Sequence, residues 1–354
     1  MNRNKPTIYD VAKKAGVSAN TVSRAINGKS GVGEKTRDRI ADIVREIGYH
    51  PHIGARALRG TRAGCIGVII SARSEDVPIS NPFVMWMFTE LYRVFGRHGE
   101  RICFDMNPYA NASDTDYARS IWDKLFSACV IISPLATDDT TIHQIHRSGI
   151  PYLSLGRVDT LPECSCATVD YELGAYQSTK YLIDRGHTSI AMLKAFSGFQ
   201  PSLDRRRGYS RALAEAGIEP DERLIQSVNF TTTNNANIVH RLLVDTEVTA
   251  LVDCSATEDA ASLREGAWRA GRVPGQDFEV VCWTYSNERA VLPEATAHLF
   301  LPVRESAAEG LELLAEWYNG KREGPIDIQY APTLFESMPN VEISPPERLF
   351  GELR

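Results

Sequence analysis

Apolar residues in the first fifty positions recur at helical spacing, in short runs. Over 7–28, TIYDVAKKAGVSANTVSRAING, residues Val11, Ala12 and Ala15 share one face of a first helix. Val22 and Ile26 share one face of a second. The i, i+4 spacing lets those faces pack, and Ala12, Ala15 and Gly16 are small enough for the two backbones to approach closely. Gly16-Val17-Ser18 makes the turn, with Ser18 where a helix N-cap is needed. After a loop over 29–32, a third helix over 34–47 carries Ile40, Ile43, Val44 and Ile47 as a stripe and stops at Gly48. Pro51 marks a boundary. The segment 52–60 spells one more short helix, weakened by Gly54, which costs about 1 kcal/mol relative to alanine. A helix that short is marginal alone in water, so it predicts a hinge that forms only when something holds it.

From Gly64 the period changes. CIGVII at 65–70 is a continuous apolar run, as a buried parallel strand requires. Similar runs stand at 102–104, 129–132, 190–193, 250–252 and 280–282, separated by helix-length amphipathic segments such as 171–185 and 204–216. The alternation predicts an α/β body of doubly wound parallel sheets, which bind ligands beyond the carboxyl ends of their strands. There are more strand–helix units than one ordinary sheet holds, so two lobes with a cleft between them are expected. The chain thus divides into a helical headpiece (1–51), a hinge (52–61), a two-lobed core (62–340) and a short surface tail (341–354).

Charge sharpens this division. Residues 1–61 hold 12 Lys and Arg against 5 Asp and Glu, whereas the rest holds 27 against 40. A basic module on an acidic body is the electrostatic footprint of a nucleic-acid reader with a separate effector domain. The outward face of the second helix reads Ala19, Asn20, Ser23, Arg24 and Asn27. Short polar side chains with one arginine suit the base edges of a DNA major groove, so the motif reads as a helix-turn-helix.

No stretch approaches the ~18 apolar residues that cross a membrane, and the opening MNRNKP leads into the helical module rather than an apolar signal segment. The seven cysteines are odd in number and scattered, as in a reducing cytoplasm. Cys164 and Cys166 form a C-x-C without a companion pair, so no zinc site is expected and both are read as incidental surface or loop thiols. His143 and His146 lack a third ligand and are placed on a helix surface. No nucleophile–base pair stands out; neither an enzyme nor a cofactor is expected.

The run YDVAKKAGVSANTVSRAING, followed in order by TRDRI, IGYHP and ARALRG, resembles the lac repressor/gal repressor family of bacterial regulators. NPF at Asn81, LGRVD at Leu155, TVD at Thr168, YLIDRGHTSIAML at Tyr181 and RRRGYSRALAEAGI at Arg205 extend the likeness over nearly the whole chain. The resemblance implies a homodimer that binds a palindromic double-stranded DNA operator and is gated, as a repressor, by a small molecule. It further implies a core like periplasmic sugar-binding proteins. Position by position, Ala19 and Asn20 would open the recognition helix, with Ser23 and Arg24 further along the groove. Thr7, Tyr9 and Thr21 would touch phosphates. Leu58, beside Ala55, would be the hinge wedge that enters the minor groove. In the core, Arg205 matches the family arginine that binds effector hydroxyls, and Asn81, Phe83, Ser133, Phe199, Phe230 and Phe300 fall where the family lines its cleft.

Two regions depart from the family. Where members often carry Asn-Asp, this chain reads Cys254-Ser255-Ala256-Thr257. Where they carry a Gly-aromatic-Asp-Asp, it reads Cys282-Trp283-Thr284-Tyr285. The loss of those acids leaves Arg205 facing less negative charge, which predicts a sugar-like but anionic effector, held by Arg205 beside Thr284 and sandwiched by aromatics such as Trp283 and Phe230. The rival readings are a periplasmic-type solute-binding protein, and a regulator that activates or has lost its effector.

Overall fold

The computed structural model describes residues 6–26, 30–49, 65–70, 82–106, 117–132, 135–137, 139–194, 198–228, 235–255, 260–285 and 292–336. The expected hinge (52–61) and tail (341–354) lie outside them. The chain forms two compact units, Met1–Gly64 and Cys65–Arg354.

In the first unit, α1 (Ile8–Ala15), α2 (Ala19–Ile26) and α3 (Glu34–Ile47) enclose Val11, Ala12, Ala15, Val22, Ala25, Ile40, Ile43 and Tyr49. The spacing read from the sequence produces this core, with Ile26, Val44 and Ile47 half-buried at its rim. Each boundary has a local cause. Thr7 starts α1 with a reciprocal cap in which the Asp10 amide donates to its hydroxyl and its own amide donates to Asp10 at 2.7 Å. Gly16 ends α1 at φ 64°, a left-handed conformation that favours glycine. The Ser18 hydroxyl accepts from the Thr21 amide at 3.1 Å and starts α2 as expected. Gly48 closes α3 at φ 67°.

The second unit runs β1 (Cys65–Ile70), α4 (Pro82–Val94), β2 (Ile102–Met106), α5 (Arg119–Trp122), β3 (Phe126–Ile131), α6 (Thr141–Ser148), β4 (Tyr152–Ser154) and β5 (Cys166–Val169). It continues with α7 (Tyr171–Asp184), β6 (Ile190–Lys194), α8 (Gln200–Glu215), β7 (Ile225–Ser227), α9 (Asn235–Asp245), β8 (Ala250–Asp253), α10 (Ala261–Arg269) and β9 (Glu279–Thr284). The last elements are β10 (Ala297–Phe300), α11 (Val303–Tyr318), β11 (Asp327–Tyr330) and β12 (Thr333–Glu336). Two six-stranded sheets result, ordered β11-β5-β4-β3-β1-β2 and β12-β10-β9-β8-β6-β7. Each is covered on both faces, the first by α4 and α11 on one side, the second by α7 and α8 on one side and α9 and α10 on the other.

The chain passes between the lobes three times, after β5, β10 and β11. A chain leaving the carboxyl end of a strand enters the other lobe running away from the junction. At 171 and 303 it does so as a helix. At 333 only two residues separate the strands, so β12 enters as a strand and lies antiparallel to β10. The second sheet is therefore mixed at one edge, where the sequence pattern predicted a purely parallel one. Helix α8 also begins four residues earlier than its apolar pattern suggested, because Pro201 suits the first turn.

Cys164 and Cys166 are not surface thiols. They are 1% and 0% exposed, in a cluster with Tyr117, Ile142 and Val158. The loop before β5 folds beneath the sheet, and the Tyr152 hydroxyl lies 3.8 Å from the Cys164 sulfur. Burial pushes the Cys129 thiol in the same cluster up to about 12. All seven cysteines are free.

Candidate functional site

In the first unit, α2 buries Val22 and Ala25 and leaves Asn20 and Arg24 exposed, with Ala19, Thr21 and Ser23 half-exposed beside them. A helix that fixes one face in a core presents the other at a set angle, which groove reading needs. Thr21 lends its hydroxyl to Ser18 at 2.9 Å. Tyr9 is 74% exposed, its ring committed to no core. Arg24 folds over the following turn. Its Nε donates to the Ser30 carbonyl at 3.1 Å and its Nη2 donates to the same oxygen. Asn27, Ala55 and Leu58 lie outside the described residues.

In the second unit, Arg205 sits on α8 and is 1% exposed. Its guanidinium lies 4.9 Å from the centre of the Tyr171 ring and 5.3 Å from that of Trp283. Those rings stack on each other, 6.3 Å apart and 14° from parallel. Trp283 is itself fixed, donating its indole N–H to the Ser178 hydroxyl at 3.0 Å. The close crossing of α7 and α8 makes this possible. A side-chain carbon at Gly208 would fall 2.0 Å from the Glu172 carbonyl, so only glycine lets α8 lie against the start of α7, where Tyr171 stands. Cation–π contact in a desolvated setting is worth about 2 kcal/mol and replaces some of the water the guanidinium has lost.

A buried acid does stand near Arg205, just before the 254–257 region where the sequence reading found none. Asp253, at the end of β8, is 2% exposed, and the Arg205 charge acts on it. Burial raises the Asp253 carboxyl above the usual range. Hydrogen bonds from the Ser255 hydroxyl and amide, the latter at 3.0 Å, oppose that rise, as does Arg205. The sequence reading looked for the acid at 254–257 and missed it one residue earlier, where it reads as the last residue of an apolar strand.

Ahead of Arg205 on the same helix, the lobes meet directly. The Gln200 amide donates to the Leu135 carbonyl at 2.9 Å and the Thr137 amide to the Gly198 carbonyl at 3.4 Å. Phe199, from the second-lobe side, packs on the first-lobe cluster that also receives Phe83. One turn and more along α8, Arg207 pairs with Asp159 of the first lobe and, at 3.3 Å, with Asp204 of its own helix. Arg157 pairs with Asp327, and Arg211 with Glu172 at 2.6 Å. Arg157, Asp159, Glu172, Asp204, Arg207 and Arg211 line a pocket of about 470 Å³ between the lobes. Burial pushes Asp204 up to about 6. Asp159 and Glu172 add like charge, while the Gln200 amide, at 2.9 Å, and Arg207 favour the ionised form.

Of the other expected effector residues, Thr284 and Phe300 are buried neighbours across β9 and β10. Trp283 is fully buried, and its described contacts hold Arg205. Asn81, Ser133, Phe230, Ala256 and Thr257 lie outside the described residues. Sequence reasoning missed Tyr171, Asp204 and Arg207. The last two stand in the same RRRGYSRAL helix as Arg205, and helical spacing from Arg205 would have found a second charged face. His143 bonds Thr160 at 3.1 Å and His146 bonds the Tyr152 hydroxyl at 3.0 Å. Among the described residues, no group of three side chains could hold a metal ion, and no helix is long and apolar enough to cross a membrane.

Comparison with known proteins follows the same division. The family described as "Bacterial regulatory proteins, lacI family" matches residues 7–52. "Periplasmic binding proteins and sugar binding domain of LacI family" matches 72–293. The HTH-type transcriptional regulator DegA of Bacillus subtilis is 28% identical over 338 residues, covering 93% of this chain and 96% of that protein. RafR of Escherichia coli is 33% identical over 219 residues, 61% of this chain and 63% of its own length. A solved complex of the transcriptional regulator CelR with cellobiose aligns with a TM-score of 0.65 at 25% identity, covering 94% of this chain and all of that one. The lac repressor dimer bound to operator and the anti-inducer ONPF aligns at 0.72 and 20% identity, covering 94% and 98%, a likeness of fold.

Proposed function

The chain belongs to the lacI family of bacterial regulatory proteins, and from that premise we propose a homodimeric repressor that reads a palindromic operator and is gated by a sugar-like effector between its lobes. That it is a DNA-binding transcriptional regulator rather than an enzyme follows from the family. The observation that carries the finer reading is the pairing of an exposed polar α2 face in a basic unit with a buried, ring-clamped Arg205 in an acidic one.

Dimerisation is supported by apolar surface that a monomer would leave wet. Met85 and Tyr92 on α4 are 52% and 59% exposed, and Phe104 on the edge strand β2 is 50% exposed. Phe88 meets Phe104 edge-on at 4.6 Å, which joins α4 to the edge strand in this apolar surface. Trp268 at the end of α10 is 80% exposed. A two-fold dimer brings two recognition helices to two half-sites.

For the effector, Asp253 changes the expected chemistry. A cation with a buried carboxyl nearby favours a neutral polyol, whose hydroxyls accept from the guanidinium and donate to a carboxylate, over a ligand that brings its own charge. CelR bound to cellobiose, a neutral sugar, is in keeping with this. DNA binding and free thiols suit a cytoplasmic location.

Footprinting on duplexes selected from a random pool tests the operator reading, with two protected half-sites related by a dyad expected. Calorimetry against matched neutral and acidic sugars tests the effector reading. Tight binding of only the acidic panel would return the earlier anionic expectation. A response unchanged by Arg205→Ala would remove Arg205 from the site.

A further inference from the structure

The contact between Arg24 and the turn after α2 uses one particular edge of the guanidinium. An arginine has five N–H groups in a planar fork. Here Nε and Nη2, the side edge, both donate to the Ser30 carbonyl. The end-on pair, one hydrogen from each Nη, is not engaged by that oxygen. An end-on pair has the geometry to bond O6 and N7 of a guanine in the major groove.

Gly31 makes this posture possible. It stands at φ 88°, a conformation that side chains rarely adopt, and turns the Ser30 carbonyl toward α2. A Cβ built on Gly31 would fall 2.6 Å from the Arg24 Nη2 and 3.3 Å from its Cζ, with no other atom of the protein nearer than the same guanidinium. A side chain at 31 would therefore displace the tip of Arg24 before it disturbed the headpiece core. Both Arg24 and Gly31 are exposed, so the displacement has room to occur.

We propose that Ser30 and Gly31 are positioning residues for base recognition, holding the Arg24 fork end-on toward a guanine in each half-site. The proposal rests on Arg24 being a groove-reading side chain. Ordering the fork before contact reduces the rotamer entropy lost on binding, and the carbonyl polarises the guanidinium in the direction of the guanine acceptors.

The experiment uses the full-length protein and a duplex selected from a random pool by the wild type, with every base substituted in turn. Arg24→Ala is expected to flatten the preference at one position per half-site. Gly31→Ala and Gly31→Asn should each lose at least about fivefold of the guanine preference at that same position, leaving other positions alone. Asparagine tolerates positive φ, so it separates contact with Arg24 from backbone strain. In an Arg24→Ala background, either change at 31 should add nothing. Equal weakening by Gly31→Ala with and without Arg24 would make the glycine merely structural and overturn the proposal. So would a Gly31→Asn protein with wild-type preference. If Arg24→Ala itself left the guanine preference intact, the groove-reading assignment would fall first, which is a different result from failure at position 31 alone.

Discussion

Two arginines, one in each unit, solve opposite problems. Arg24 is exposed and leans on a single backbone oxygen, so its charge stays hydrated until DNA arrives. Arg205 is 1% exposed, against two rings that stack on each other and near a buried acid. The first keeps its hydration, so salt screens its interactions with other charges. The second has lost its water already, so charges around it act through a low dielectric. A surface arginine can be altered with little harm to the fold; a buried one is part of it.

The largest test of that contrast is stability. Arg205→Ala removes a buried cation packed against the Tyr171 and Trp283 rings, and should destabilise the second unit by about 3 kcal/mol. Arg205→Lys should recover only part, because an ammonium has no plane to lay against a ring. Arg24→Ala, at the surface, should change headpiece stability by less than about 0.5 kcal/mol. Urea unfolding followed by the two units' separate signals reads all three. An Arg24 effect as large as that of Arg205 would break the comparison.

Burial should also appear as pH dependence. Asp204 has a folded value of about 6, above its unfolded value, so the native state binds more protons than the unfolded one between them. Its contribution is therefore most favourable at low pH and is lost as pH rises from about 4 to 6, by on the order of 2 kcal/mol. Asp204→Asn should flatten this part of the curve relative to wild type. An identical pH profile in the two proteins would mean that Asp204 is hydrated like a surface acid.

Arg207 is the intermediate case, half-exposed and reaching across the lobes. Its pair with Asp159 should hold the junction shut beside the backbone bonds at Leu135 and Gly198. Arg207→Ala should speed hydrogen exchange at the Thr137 and Gln200 amides about tenfold, roughly 1.4 kcal/mol, without touching amides inside the sheets. The exchanged pair Asp159→Arg with Arg207→Asp should slow it again. Unchanged exchange in the single variant would leave the lobes held by Phe199 and the backbone alone.

These contrasts also explain what could be read in the chain beforehand. The headpiece is local: Val11, Ala15, Val22 and Ile40 lie within thirty residues, so helical spacing alone places them in one core. The long apolar strands were legible for the same reason. The three-residue strands β4 and β7 are too short to carry a period, and their membership in a sheet is decided by partners far away in sequence. The site around Arg205 draws on 171, 205, 253 and 283, brought together only by the crossing of α7 and α8 over the sheet. No pattern along the chain announces that an aspartate ending an apolar strand will be buried within the reach of an arginine's charge from a distant helix.

The smallest effect lies in the headpiece and bears on how far its surface groups are free. Thr7 was assigned to phosphate by position, yet its hydroxyl donates to the Asp10 carboxylate at 2.7 Å and accepts from the Asp10 amide at 3.4 Å. The hydroxyl and the Thr7 amide, both donating to the carboxylate, hold the Asp10 carboxyl below its ordinary value. Thr7→Ala removes a helix cap and should cost about 1 kcal/mol of headpiece stability, with Thr7→Ser restoring it. If Thr7 also touches a phosphate, its hydroxyl must leave Asp10 to do so, and the alanine variant will bind both selected and random duplexes more weakly. A lost phosphate hydrogen bond from a neutral hydroxyl releases no counterion, so the slope of affinity against salt should stay the same. A slope reduced by about one would mean instead that a cation has moved with the cap, and α1, rather than Thr7 itself, would be the element that meets the DNA backbone.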